Sequence, residues 1–261
     1  MKDFEIGFIG YGNMANAIVE GLVNHGGYDP TKICACAKNF EKLKKNTNKC
    51  NISPFESPKD VITKSKIIIL AIKPYQIEEF AKEYGELFLN KLVVSVILGI
   101  DLEKGKALFP KSKFLPTMPN TPISVGEGII LCNKKHSFED DDMTYFKNIF
   151  SDIAFIEMVD NSTFDATGTL IGCTPAFTAM YIEALSDAGV KYGITRDTTY
   201  KLISKMLQGT GKMAFEGNKH PGQLKDAVCS PGGNTIKGVT KLEDKGFRGA
   251  VISAIDAIEG K

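Results

Sequence analysis

Near the amino terminus, Phe8-Ile9-Gly10-Tyr11-Gly12-Asn13-Met14-Ala15 closes a strand-like apolar run and opens a helix-like one. The spacing is G-x-G-x-x-A, and each small residue in it has a physical task. Gly10 permits a tight turn, Gly12 lets backbone approach a pyrophosphate, and Ala15 lets helix pack closely on strand. The N–H groups of the first helical turn, at Asn13 and Met14, are free to meet an anion. The chemistry to expect is dinucleotide binding. A glycine-rich turn without a ligand is the plainer alternative, and the flanking strand and helix favour the nucleotide.

A site for NAD places Asp or Glu at the end of the second strand, where it holds the ribose hydroxyls. Here that strand ends Ala35-Cys36-Ala37-Lys38-Asn39, with no acid. Lys38, helped by Asn39 and Lys42, suits a 2′-phosphate, so NADPH is the expected cofactor and NADH the alternative. A solvated lysine face is the bland reading of the same residues. The next apolar run, Ile67-Ile68-Ile69-Leu70-Ala71-Ile72, leads into Lys73-Pro74 at the carboxyl edge of the sheet, where open α/β folds bind ligands. Lys73 is placed to touch cofactor ribose or phosphate; a surface lysine held in an X-Pro turn is equally open.

Two further segments are rich in special backbone residues: Met118-Pro119-Asn120-Thr121-Pro122 and Ser230-Pro231-Gly232-Gly233-Asn234-Thr235. Successive N–H groups in a Gly-Gly turn before a helix form a concave anion site, suited to a substrate carboxylate. Composition alone would make both segments simple proline-directed turns.

The elements that must position these residues fall into two textures. Short β-type runs at 5–9, 32–37, 66–72, 92–98, 113–117, 127–132 and 154–157 alternate with helix-like segments at 14–24, 40–45, 75–89 and 141–151. That alternation predicts βαβ units and a mostly parallel sheet, a Rossmann-type α/β domain over residues 1–160. After Asn161 the periodicity turns helical, at 162–189, 196–216 and 247–258, giving an all-helical domain over 161–261. Ala176, Met180, Ile182, Ala184, Leu185 and Ala188 make the first of these helices apolar around much of its circumference. A helix of that kind in a small domain predicts burial against a partner subunit, a homodimer at least.

Composition excludes several other classes. The chain has 261 residues, 43% hydrophobic and 24% charged, and 32 Lys plus Arg against 31 Asp plus Glu leave a net charge of +1. No global field draws it to nucleic acid or to an anionic membrane. The longest apolar stretches, around 67–72 and 92–100, fall short of the roughly 18 residues of a membrane span. The amino terminus lacks the features of a signal peptide, so a cytoplasmic address is expected. Six cysteines without a CxxC pair predict reduced thiols and no structural metal, with Cys34 and Cys36 on one face of a buried strand. Structural roles are expected for His25, His136 and His220.

With these pieces in place the sequence resembles the pyrroline-5-carboxylate reductase family over nearly its whole length. The resemblance rests on Gly10 to Ala15 with Gly21-Leu22, Ala71 to Pro74, Met118 to Pro122, Glu183-Ala184-Leu185-Ser186-Asp187-Ala188-Gly189, His220-Pro221-Gly222-Gln223-Leu224-Lys225-Asp226 and Ser230 to Gly233, in family order. It implies reduction of the cyclic imine 1-pyrroline-5-carboxylate to L-proline with NADPH or NADH. It also implies a Rossmann domain followed by a helical domain that interleaves with a second subunit. By resemblance Ala71, Lys73, Pro74 and Asn120 border the nicotinamide, and Ser230, Gly232, Gly233, Asn234 and Thr235 take the substrate carboxylate. Thr235 matches the threonine that hydrogen-bonds the ring nitrogen, which makes it the candidate for proton delivery; its other reading is the cap of the following helix.

The chain departs from the family pattern at Pro116, where Arg is usual, at Ile171-Gly172-Cys173-Thr174-Pro175-Ala176-Phe177, where Ser-Gly-Ser-Gly-Pro-Ala-Tyr is usual, and at Asn234. A side chain at Thr174 in place of Gly crowds a compact imine. Two rivals follow from this: a reductase of a related, larger cyclic imino acid, and a non-catalytic NADP-binding sensor. A β-hydroxyacid dehydrogenase shares the two-domain plan but needs a lysine on the helix that joins the domains. Between Lys147 and Lys191 this chain has neither Lys nor Arg.

Overall fold

A computed structural model describes residues 3–217 and 219–260. In chain order the first unit runs β1 (Phe4–Ile9), α1 (Asn13–Asn24), β2 (Ile33–Cys36), α2 (Phe40–Thr47), β3 (Ser53–Phe55), α3 (Pro58–Lys64), β4 (Ser65–Leu70), α4 (Ile77–Tyr84), β5 (Leu92–Ser95), α5 (Leu102–Leu108), β6 (Lys113–Pro119), β7 (Gly128–Asn133), α6 (Asp140–Phe150) and β8 (Ala154–Val159). The strands form one eight-stranded sheet in the order β3-β2-β1-β4-β5-β6-β7-β8. Only the β6–β7 pair is antiparallel, with Met118 opposite Leu131. The strand order reverses at β1, and the glycine loop leaves β1 at that switch point, where a doubly wound sheet opens its ligand crevice.

Each face of the sheet carries its own core. One face buries Phe8, Ile18, Val19 and Leu22 with Phe146 and Phe150, so α1 and α6 pack there. The other buries Ile9, Val61, Ile62, Ile77, Phe88 and Phe114 under α3 and α4. The central strand β4 is apolar without alternation because both of its faces are covered: Ile67 and Ile69 point to the first core, Ile68 and Leu70 to the second. Cys34 and Cys36 share the second core, and burial pushes their thiols up, to about 11 and about 12. Thiols held protonated in this way are packing groups and not nucleophiles.

The remaining chain is helical: α7 (Phe164–Lys191), α8 (Arg196–Glu216), α9 (Pro221–Asp226), α10 (Asn234–Asp244) and α11 (Phe247–Glu259). The change of packing unit falls inside α7, between Gly172 and Cys173. The first turns of α7 belong to the sheet domain through Phe164 and Ile171, which pack with Leu131 and Val159. In the second unit the turn into α8 is fixed by a buried hydroxyl pair, Ser186 Oγ to Thr199 Oγ1 at 2.6 Å. Arg196 donates to Ser186 at 3.2 Å and to Asp187 at 2.5 Å. Few apolar side chains of this unit are covered by the chain itself: Met180, Leu202, Met213 and Ile252 are each more than 60% exposed. The apolar helix expected to be buried all round is therefore open within a single chain.

The elements anticipated from periodicity are present, α4 apart, with ends that coincide or differ by up to three residues, and β3, α3, α5, α9 and α10 add to them. The helix expected over 75–89 is α4 flanked by tighter 3-10 turns at Pro74–Gln76 and Gly85–Phe88. No helix among the described residues is long and apolar enough to cross a membrane.

Candidate active site

Gly10 is fixed by two independent demands. Its φ is +90°, and a Cβ there would lie 2.7 Å from the Ala71 carbonyl oxygen and 2.9 Å from the Ile72 nitrogen. Those atoms cannot retreat, because Ala71 N–H donates to the Ile9 carbonyl at 2.8 Å, while Gly10 N–H donates to the Cys36 carbonyl at 3.0 Å. The loop is thus tied to the ends of both strands that flank β1. Gly12 differs: a Cβ there would meet nothing within 4 Å, so its surface faces open space. It is also the cap residue of α1, without a side-chain cap and without an acid in the first turn. Unpaired N–H groups at Asn13 and Met14 remain for an anion, and the open side of Gly12 is a cradle that a dinucleotide phosphate fits. Ala15 is buried, as close helix–sheet packing requires.

The cleft beside this loop encloses about 660 Å³ and is lined by Gly10, Gly12, Lys38, Ala71, Lys73 and Tyr84 among others. Lys38 and Lys73 are both exposed on its rim. Lys73 N–H is held by Gln76 Oε1 at 3.2 Å, with Pro74 opening the 3-10 turn. Asn39, read as a helper of Lys38, caps α2 with its side-chain oxygen, which accepts from Lys42 N–H at 2.9 Å.

The cleft also contains residues that sequence reasoning missed. Phe80 and Tyr84, with ring centroids 5.0 Å apart, offer an aromatic wall from α4, and Glu79 and Glu83 stand on the same wall. Their i+3, i+4, i+7 and i+8 spacing from Gln76 was the available signal. Glu56 lines the opposite side, one residue past β3, whose Phe55 pairs with Cys36 of β2. An acid does reach this edge, but from the neighbouring strand.

On the far side of the sheet edge, Asn120 follows β6 and is 6% exposed. Its Oδ1 accepts from Ile129 N–H at 2.8 Å and its Nδ2 donates to the Ile171 carbonyl at 3.3 Å. Pro116 sits inside β6 opposite Ser95 and brings no N–H to the ladder. The Thr117 hydroxyl supplies a donor instead, to the Ser95 carbonyl at 3.0 Å. Pro116 also lines a smaller cavity of about 240 Å³, together with Asp101, Asn133 and Asp165.

In the helical unit, Ser230 to Gly233 is a tight turn closed by Gly233 N–H donating to the Ser230 carbonyl at 3.0 Å. Pro231 and Gly232, the latter at φ +68°, occupy its two central places, the signature of a type II turn. A Cβ on Gly233 would fall 2.4 Å from Ser230 Oγ and 3.1 Å from the Ser230 carbonyl oxygen, so a side chain there would require the serine hydroxyl to turn away. Gly233, not Thr235, is the cap residue of α10, and no side chain caps the helix. Asn234 and Thr235 are therefore the first two helical residues, both exposed, and their N–H groups, which no side chain caps, are open to an anion. His220 Nδ1 accepts from Gly222 N–H at 3.0 Å, the structural use expected of it. Among the described residues no group of His, Cys, Asp and Glu converges as a metal site requires.

Comparison with known proteins decides what this arrangement belongs to. Residues 161–261 match the family described as pyrroline-5-carboxylate reductase dimerisation. Residues 5–99 match NADP oxidoreductase coenzyme F420-dependent. A pyrroline-5-carboxylate reductase of Treponema pallidum is 38% identical over 257 residues, covering 97% of each chain.

The chain belongs to the pyrroline-5-carboxylate reductase family.

The Escherichia coli pyrroline-5-carboxylate reductase is 36% identical over 96% of this chain and 94% of its own. The crystal structure of the Plasmodium falciparum pyrroline carboxylate reductase with NADP bound superposes with a TM-score of 0.86 at 28% identity, covering 98% of this chain and 96% of that one. In this family the amino-terminal unit is the NADP-binding Rossmann domain and the carboxyl-terminal helices are the dimerisation domain.

Proposed function

We propose that this chain reduces 1-pyrroline-5-carboxylate to L-proline with NADPH, the last step of proline biosynthesis, acting in the cytoplasm as a homodimer or larger homo-oligomer with no nucleic-acid partner. The observation that carries the reading is the pair of uncapped, glycine-led helix starts, α1 and α10, in a chain of this family. One suits the cofactor's pyrophosphate and the other a small carboxylate.

Gly10, Gly12, Asn13 and Met14 hold the pyrophosphate through backbone, with Lys38 toward the 2′-phosphate and Ala71, Lys73 and Pro74 along the opposite rim. Bound NADPH supplies the hydride that the imine carbon accepts. The protein's own part is to hold a planar imine against that source and to manage one proton. Ser230, Gly232 and Asn234 fix the substrate carboxylate through N–H groups, Gly233 shapes the cradle by closing the turn with its own N–H, and Asn120 frames the nicotinamide edge. The exposed Thr235 hydroxyl stands one residue into α10, on the turn that grips the carboxylate, where it gives its hydrogen bond to the ring nitrogen and relays the proton that nitrogen ends with.

The test is NADPH oxidation with 1-pyrroline-5-carboxylate and, in parallel, a larger cyclic imino acid. Turnover of the first should fall about a hundredfold in Thr235→Ala, the scale of a lost proton relay. Preference for the larger ring would mean that Cys173 and Thr174 have reshaped the pocket. No turnover of either, with NADPH still bound, would make the chain a sensor.

A further inference from the structure

A proline sits inside α7. Pro175 has no N–H, so the carbonyl four residues before it, that of Ile171, loses its helical donor. A half-buried carbonyl left unpaired is costly, and helices with internal proline recruit another donor or bend. Here the donor is the Asn120 side chain, reaching from 51 residues earlier in the sequence. The other end of the same amide accepts from Ile129 N–H, so one side chain serves backbone on two elements, the start of β7 and the first turns of α7.

The surroundings make this a fitted joint. A Cβ on Gly168 would lie 2.1 Å from Met118 Sδ, so the Met118 side chain lies directly against the helix at this glycine. Phe164 packs into the cluster of Leu131 and Val159, with Met118, Ile129 and Ile171 against it. The Met118-to-Pro122 segment is therefore gripped at both ends of Asn120. A side-chain amide carries its donor and its acceptor on separate atoms, so it spans both partners where a single hydroxyl oxygen does not, and Gln is longer by a methylene.

We infer that Asn120 is a positioning residue: it replaces the N–H missing at Pro175, and by joining the Ile171 carbonyl to the Ile129 amide it fixes the segment that frames the nicotinamide half of the site. The inference rests on the proposed reductase reading for its kinetic consequence, while the bond itself stands on the structure alone. The roles of the two residues are complementary. Proline opens a carbonyl that a regular helix would have used, and asparagine takes it.

A double-mutant cycle tests this directly. Asn120→Asp keeps the acceptor for Ile129 N–H and loses the donor, and Pro175→Ala returns a helical N–H to the Ile171 carbonyl. Asn120→Asp should lower kcat at least about tenfold while the NADPH dissociation constant, read by fluorescence, stays within about twofold, as misplacement without lost contact predicts. Asn120→Asp with Pro175→Ala should recover most of that kcat and most of the lost melting temperature, a coupling expected only of residues that share a partner. Weakened NADPH or imine binding without rescue would overturn the inference and make Asn120 a ligand contact. Additive effects in the cycle would overturn it as well. If Asn120→Asp yields no soluble protein, Asn120→Ser enters the same cycle. A wild-type chain that turns over no imine would sink the reductase reading, and the melting-temperature cycle would still judge the bond.

Discussion

Two glycine loops in this molecule do the same physical job, opening the first turn of a helix to an anion, and they are built on different foundations. The loop at Gly10 is tied by backbone hydrogen bonds to the strands on either side of β1 and sits over two buried cores. The loop at Gly232 closes on itself through Ser230 and Gly233, and a Cβ on Gly232 would touch nothing within 4 Å. The first is held by its domain. The second has only its own turn geometry and a helical unit whose apolar side chains the chain does not cover. Rigidity of a site is thus a property of what surrounds it, and the carboxylate cradle proposed for the helical unit calls for a covering surface that a single chain does not supply.

The comparison breaks first at Gly10. Gly10→Ala combines a positive φ with a Cβ driven into the Ala71 backbone, and neither strand can yield without losing ladder bonds. We expect a loss of about 3 kcal/mol or more in urea denaturation, together with loss of NADPH binding. A stable Gly10→Ala protein that still binds NADPH would show that the loop is softer than its hydrogen bonds imply.

The next effect lies on the open surface of the helical unit. Met213 is 61% exposed and Phe215 is 70% exposed on α8 within a single chain. A charge at either place costs little in a monomer and several kcal/mol in an apolar interface. Met213→Glu should shift the sedimentation of the protein toward monomer and abolish imine turnover, with NADPH binding retained by the sheet domain. Unchanged sedimentation with unchanged turnover would place the interface elsewhere on the unit.

The same contrast explains what was legible in the sequence. Gly10 and Gly12 could be read because a dinucleotide loop uses glycine at a fixed spacing, Gly10 for its positive φ and Gly12 to keep the surface over the helix start open. The strands β4 and β5 could be read because burial on both faces leaves apolar runs, Ile67 to Leu70 and Leu92 to Val94. β3 could not: it is three residues long, contains Pro54 and is only partly buried, so no periodicity develops. Glu56 was missed with it, since the acid was sought at the end of β2 and stands beside that end on another strand. The antiparallel turn of β7 left no mark, because an apolar run does not state its direction. Asn120 was picked out by its setting between prolines, yet its partners, Ile129 and Ile171, are chosen by tertiary packing and by a proline on another element. The type II turn at Ser230 was visible as composition, whereas its capping residue, Gly233 in place of Thr235, depended on where the helix begins.

The smallest effect belongs to the second loop, and it sharpens the comparison because it separates conformational strain from collision. Gly232 has a φ of +68° and free space around it, so Gly232→Ala pays only the left-handed penalty, roughly 1 kcal/mol. Gly232→Asn should cost less, since Asn tolerates that region. If the turn's N–H groups hold the substrate carboxylate, Gly232→Ala should raise KM for 1-pyrroline-5-carboxylate several-fold and leave KM for NADPH near its wild-type value, with Gly232→Asn in between. The mirror-image result, a change in KM for NADPH alone, would exchange the roles given to the two loops. A loop that depends on its own dihedral angles for shape should respond in graded steps to the residue at that one position. A loop pinned by two strands, as at Gly10, should fail at once.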